Sequence, residues 1–142
     1  MALIKYPSFS PEATKEIGRM LAKKIGGNKK GVLCLVGDIG AGKTTFSKGF
    51  ASELVGISEN QICSPTFNYL NIYEGICTLY HFDCYRLKDG WDFLNRGFDE
   101  YFEGLCLIEW SEKIEAVLPE KRNVVTIEPI EKDKRVITYE GD

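Results

Sequence analysis

A chain of 142 residues, 44% hydrophobic and 27% charged, has the size and make-up of one ordinary globular domain, which excludes the disordered and fibrous classes. Its net charge of -3 speaks against sequence-independent nucleic-acid binding; the pairs Lys23/Lys24 and Lys29/Lys30 are short, local and read as solvated charges. No apolar run approaches the roughly 20 residues that cross a bilayer, and the N-terminal MALIKYPSFS lacks the apolar stretch of a signal peptide.

The first predicted element is a helix. Ser10 supplies a capping hydroxyl, Pro11 a preset φ and Glu12 an acid at the positive end of the helix dipole. Ala13, Ile17, Met20, Leu21 and Ile25 recur at helical spacing, and Gly26-Gly27 stops the pattern. Residues 32–36 form a short apolar run suited to a strand covered on both faces, with a glycine-rich loop directly after it. A second helix is expected from Lys43 to about Val55, with Phe46, Phe50 and Leu54 on one face and Gly56 as its end.

Residues 67–73 and 76–85 are rich in aromatic and β-branched types around Glu74-Gly75, a hairpin pattern. Between Lys88 and Glu103 the pattern turns irregular, with Trp91, Phe93, Leu94, Phe98, Tyr101 and Phe102 expected to anchor short helices. Leu105 to Ile108 reads as a strand closing at Glu109-Trp110, followed by a helix through Ile114 and Val117 that stops at Pro119. Residues 124–127 and 135–139 form a terminal strand pair around the polar turn 131–134. No linker or repeat interrupts residues 1–142, so the expected architecture is one α/β domain with a mixed, mainly parallel sheet flanked by helices.

Gly37-Asp38-Ile39-Gly40-Ala41-Gly42-Lys43-Thr44 matches G-x-x-x-x-G-K-[ST], between a strand and a helix. Such a P-loop points successive backbone N–H groups at phosphate oxygens, which requires glycine geometry. Lys43 brings a cation to the β/γ-phosphates, the Thr44 hydroxyl ligates Mg²⁺, and the helix dipole adds to the same site. Asn-Lys-x-Asp, expected of many GTPases, is absent, since Asn28-Lys29-Lys30-Gly31 lacks the acid. ATP is therefore the expected nucleotide.

Hydrolysis needs an acid near the metal and a group that orients water. Glu109 stands at a strand's end, and alternation puts Asp83 on one face with His81 and Tyr85; either acid could instead cap the element that follows. His81, the lone histidine, reads as a hydrogen-bonded structural residue, and Ser64-Pro65-Thr66-Phe67 as a turn whose hydroxyls could sense a γ-phosphate. Five cysteines, Cys34, Cys63, Cys77, Cys84 and Cys106, form no C-x-x-C pair and are odd in number, so free thiols in a reducing, cytoplasmic setting are expected rather than disulfides or zinc.

GDIGAGKTTF at residues 37–46, SPTF at 64–67, HFDCYRL at 81–87 and LIEW at 107–110 together resemble the tRNA threonylcarbamoyladenosine biosynthesis ATPase family, TsaE. The likeness holds in order and spacing over nearly the whole chain. It departs at Ile39, where leucine is common, and along residues 88–102. The resemblance implies a P-loop nucleotide-binding fold in which Ile39, Gly40, Ala41 and Gly42, with Lys43, Thr44 and Thr45, line the phosphates. Thr44 and Glu109 would hold Mg²⁺, and Thr66 would act as a switch near the γ-phosphate. Asp83 would join the catalytic network beside Lys43, and Trp110 would support activity next to Glu109. Thr14 and Arg135 match positions at the base or ribose end.

Family members act with the TsaB and TsaD proteins. Those partners perform the transfer onto tRNA, which this chain would meet only indirectly, its ATP hydrolysis resetting the complex. The alternatives are a small-molecule kinase, which would need arginines closing over the phosphate where only Arg86 and Arg96 occupy the middle region, and a nucleotide-gated adaptor without turnover.

Overall fold

The computed structural model describes residues 2–38, 40–65 and 67–141. Helix α1 (Pro11–Ile25) begins as its sequence dictates: Ser10 is extended, its hydroxyl accepts the Ala13 N–H at 3.0 Å, and Pro11 fills the first turn. Strand β2 (Gly31–Val36) follows, and then α2 (Lys43–Val55), which ends on Gly56 in the left-handed conformation. The hairpin is β3 (Leu70–Glu74) and β4 (Thr78–Asp83), each shorter than the apolar runs suggest. After the short α3 (Gly90–Asn95) come β5 (Leu105–Glu109), β6 (Asn123–Glu131) and β7 (Lys134–Gly141).

The N-terminal stretch is a strand, β1 (Ala2–Ser8), pairing antiparallel with β7. All seven strands form one sheet in the order β1-β7-β6-β2-β5-β4-β3. Five of them run in one direction, with β7 and β3 reversed, so the sheet is mixed and mostly parallel. β2 lies at its centre, flanked by parallel β5 and β6, which explains why it is apolar on both faces.

One face, carrying Leu33, Leu35, Leu79, Leu105, Leu107, Val125 and Ile127, is covered by α1 and α2. The other, carrying Val32, Cys34, Phe82, Cys106 and Ile108, is covered by α3 and by 3₁₀ turns at Phe98–Glu103 and Ser111–Val117. The segment through Ile114 and Val117 is thus not a regular α-helix; its backbone kinks at Ile114.

Three expected packing roles differ. The buried stripe of α1 is Thr14, Gly18, Leu21 and Ala22, with Met20 42% exposed. This rotation lets α1 and α2 cross at contact distance: a Cβ on Gly18 would lie 2.7 Å from the Phe46 carbonyl oxygen, and one on Gly49 2.2 Å from that of Lys15. Trp91 is 72% exposed, because Phe93 points into the core and residues two apart on a helix face opposite ways. Tyr85 does not continue the β4 face. The Asp83 side chain accepts the Tyr85 N–H at 3.0 Å, a local turn that takes Tyr85 off the sheet. No helix among the described residues is long and apolar enough to cross a membrane.

A candidate phosphate-binding site

The glycine-rich loop leaves the central strand β2 and enters α2. Gly40 at φ +84° and Gly42 at φ +109° take left-handed backbone angles that disfavour side chains. Gly37 serves a different need, close approach: a Cβ there would stand 3.0 Å from the Ile127 carbonyl oxygen. The Ala41 N–H donates to the Asp38 carbonyl at 3.0 Å, and Arg135 of β7 donates through Nε to the Ala41 carbonyl at 3.0 Å. The last strand thereby fixes the loop from outside.

Lys43, at the first position of α2, is largely buried, with Nζ 4.4 Å from the ring centroid of Trp110. Trp110 is itself held at φ +57° and packs its indole on Tyr85, centroids 4.9 Å apart. A left-handed backbone costs a bulky residue about 1–2 kcal/mol. That strain places the indole over Lys43 at the end of β5.

Sheet alternation brings the acids to the same place. Leu105, Leu107 and Glu109 share one face of β5, and Leu79, His81 and Asp83 the corresponding face of β4, with Asp83 in register with Glu109. This is the face that α2 covers. Glu109 is buried; its Oε2 accepts from His81 Nε2 at 2.7 Å and from Ser64 Oγ at 3.5 Å. Ser64 Oγ also lies 3.3 Å from Thr44 Oγ1. Thr44 and Glu109, far apart in sequence, therefore meet through one serine. The carboxyl of Asp83 is raised above the usual aspartate range, first by burial, against the Tyr85 N–H bond that opposes it, and further by the nearby charge of Glu109.

Thr14 and Arg135 line one recess of about 170 Å³ with Gly40, Thr45 and Asp133. Thr14 Oγ1 is 2.8 Å from Ser8 Oγ. A second open space, about 380 Å³, is bordered by Gly40, Gly42, Lys43, Thr44 and Thr45. Ile39 and Thr66 lie outside the described residues. Among the described residues no three His, Cys, Asp or Glu side chains converge as a metal-ligand group. Cys34, Cys84 and Cys106 are instead buried in the core beneath α3, and burial pushes the Cys106 thiol up to about 12.

At the opposite end of β2, a hollow of about 610 Å³ gathers Lys24, Lys30, Lys121 and Arg122. Lys30 pairs there with Glu103 at 3.3 Å and Arg122 with Glu115 at 2.5 Å. The residue that the motifs do not signal is Tyr73. Its hydroxyl donates to the Cys63 carbonyl at 2.7 Å and lies 3.3 Å from His81 Nδ1. The hairpin register could have found it, since Asn71 pairs with His81 and Tyr73 follows two residues on, on the same face.

The family model for the threonylcarbamoyl adenosine biosynthesis protein TsaE matches residues 8–137. The chain belongs to the TsaE family. Among its TsaE relatives, the tRNA threonylcarbamoyladenosine biosynthesis protein TsaE of Bacillus subtilis is 44% identical, over 98% of this chain and 86% of its own length. That of Treponema pallidum is 41% identical, over 92% and 96%. A crystal structure of Bacillus subtilis YdiB superposes with a TM-score of 0.76 at 39% identity, covering 97% of this TsaE chain and 84% of that one. The four sequence blocks that suggested TsaE all fall within the matched residues.

Proposed function

We propose that this chain binds and hydrolyses Mg-ATP in support of threonylcarbamoyladenosine modification of tRNA, working with TsaB and TsaD proteins that carry out the transfer. The observation that carries the reading is the meeting of Thr44 and Glu109 at Ser64 beside the glycine-rich loop. A hydroxyl and a single carboxylate suit Mg²⁺, which keeps several waters and takes its remaining ligands from phosphates. Bound there, the ion would neutralise charge on the β- and γ-phosphate oxygens.

The chain's own residues then divide the work. The loop amides and the N-terminus of α2 receive the phosphates, and Lys43 exchanges the Trp110 face for a phosphate oxygen. Thr14 and Arg135 border the recess for the ribose or base. Glu109 is engaged by His81 and Ser64, which suits a fixed metal carboxylate. Asp83, with its raised affinity for a proton, is the group assigned to orient the attacking water. Trp110 supports Lys43 and shields this corner from solvent. Thr66 is assigned the switch role by family resemblance alone.

Arg86 and Arg96, on which a kinase would call, lie against the Tyr69 ring at 4.7 and 4.3 Å, and Arg96 also pairs with Asp92. This arrangement favours hydrolysis over transfer to a metabolite.

Purified chain should hydrolyse ATP slowly alone and faster with TsaB and TsaD. Efficient phosphoryl transfer to a small molecule without those partners would overturn the reading. Lys43→Ala removes a charge-assisted hydrogen bond of about 1.5–3 kcal/mol, so ATP affinity should fall about 10–100-fold by calorimetry with the fold retained.

A further inference from the structure

We propose that Tyr73 and His81 are positioning residues, a buried relay that ties the orientation of the Glu109 carboxylate to the segment Cys63–Ser64. The inference rests on the Mg-ATP reading above and deepens it, because it concerns what holds the metal carboxylate in place.

His81 is 0% exposed, Glu109 4% and Tyr73 7%. Polar groups buried this deeply are costly unless each finds a partner, and these partner one another in a closed circuit. His81 Nε2 donates to Glu109 Oε2 at 2.7 Å, and its other ring nitrogen, Nδ1, lies 3.3 Å from Tyr73 Oη. The single Tyr73 hydroxyl hydrogen is shared between the Cys63 carbonyl at 2.7 Å and His81 Nδ1, and the hydroxyl oxygen accepts the Cys63 N–H at 3.2 Å. Asn71 Nδ2 adds a third bond to that residue, donating to the same carbonyl at 3.0 Å. One peptide bond further on, Ser64 Oγ returns to Glu109 Oε2 at 3.5 Å.

The pairing of the strands places the members on one face. Asn71 pairs with His81, Tyr73 with Leu79, and Asp83 with Glu109. Tyr73 and Glu109 are thus diagonal neighbours of His81, within reach across adjacent strands. The circuit has a mechanical consequence. The carboxylate cannot rotate without breaking its bond to His81 or dragging the Cys63–Ser64 segment, and that segment also meets Thr44 through Ser64. A segment contacting both metal residues therefore reports its position to Glu109 by two routes, one direct and one through the relay.

A purely structural aromatic at position 73 would be served equally by phenylalanine. Tyr73→Phe keeps the ring and removes only the hydroxyl, so it separates packing from positioning. Removing the group that orients a metal-binding side chain commonly costs 10–100-fold in metal affinity. In the Tyr73→Phe chain, calorimetry with ATP should show unchanged affinity in EDTA. The Mg²⁺ concentration needed for the tightened, Mg-dependent affinity should rise about tenfold. Half-maximal hydrolysis should shift by the same factor, with kcat recovering at saturating Mg²⁺. His81→Gln retains a side-chain N–H donor and should lie closer to wild type than His81→Leu.

Wild-type Mg²⁺ dependence in Tyr73→Phe, or equal losses in the two His81 variants, would overturn the relay while leaving the Mg-ATP reading intact. Failure of the wild-type chain to bind Mg-ATP would overturn both.

Discussion

The two faces of the sheet are covered in different ways. On one, two α-helices of 15 and 13 residues cross through glycines at van der Waals distance. On the other, short helical turns bring aromatic rings onto Phe82: Phe93 at 5.4 Å, Phe98 at 5.3 Å and Tyr101 at 6.0 Å. The helical face carries the glycine-rich loop, Thr44, His81 and Glu109, whereas the aromatic face carries three of the five cysteines and, of the residues assigned to the candidate site, only Trp110 at its border. Backbone-to-backbone contact holds a loop to tight tolerance, while ring packing fills volume and tolerates irregular chain. Site and scaffold are divided accordingly.

The sharpest separation is in thiol chemistry. Cys34, Cys84 and Cys106 lie under the aromatic layer, all with thiols shifted up by burial, whereas Cys63 is exposed on the segment facing Glu109. A thiol reagent followed by mass spectrometry should label Cys63 first. The three buried thiols should react on the order of 10³-fold more slowly or less, since they await opening of a fold worth several kcal/mol. Comparable rates would mean that the aromatic layer opens freely.

Phe82→Ala should cost about 3–5 kcal/mol in chemical denaturation, the range for a large-to-small change at a fully buried ring. Gly49→Ala tests the other face. Helix propensity favours alanine by about 1 kcal/mol, but the new Cβ would lie 2.2 Å from a backbone oxygen of α1. Overpacking should win, with a net loss of about 1–3 kcal/mol.

The smallest effect lies at the edge where β4 leaves the sheet. The folded-state pKa of Asp83 is raised above its unfolded value, so the folded chain holds this proton more tightly. Ionised Asp83 therefore weakens the fold above its folded pKa, and the penalty is relieved as pH falls through the window between the folded and unfolded values. Asp83→Asn, which keeps an oxygen for the Tyr85 N–H, should raise stability at neutral pH by less than about 1 kcal/mol after solvent screening. The same change should lower ATP turnover.

Much of the helical face was legible because its signals are local. Ser10-Pro11 and Gly56 delimit helices, and the loop from Gly37 to Thr44 is a contiguous motif. The orientation of α1 was not legible, because its buried side is set by the glycine crossing rather than by its largest apolar residues. Strand β1 carried a readable alternation, with Ile4, Tyr6 and Ser8 turned inward. Pro7 obscured it, yet proline is tolerated on an edge strand. In the site, Glu109 stood out at a strand's end and Asp83 by its alternation with His81, whereas Tyr73 acquires its role from register across three strands, which no local pattern expresses.

The contact of Lys43 with Trp110 makes the molecule its own optical instrument. The chain has two tryptophans, and the other, Trp91, is exposed on α3 and open to aqueous quenchers. With caesium, a cation that the Lys43 ammonium repels, suppressing Trp91, the remaining emission comes mainly from an indole 4.4 Å from that ammonium group. On the proposed reading, a phosphate that drew Lys43 away would change that emission without any added label, so occupancy of the loop could be followed in real time on the unmodified chain.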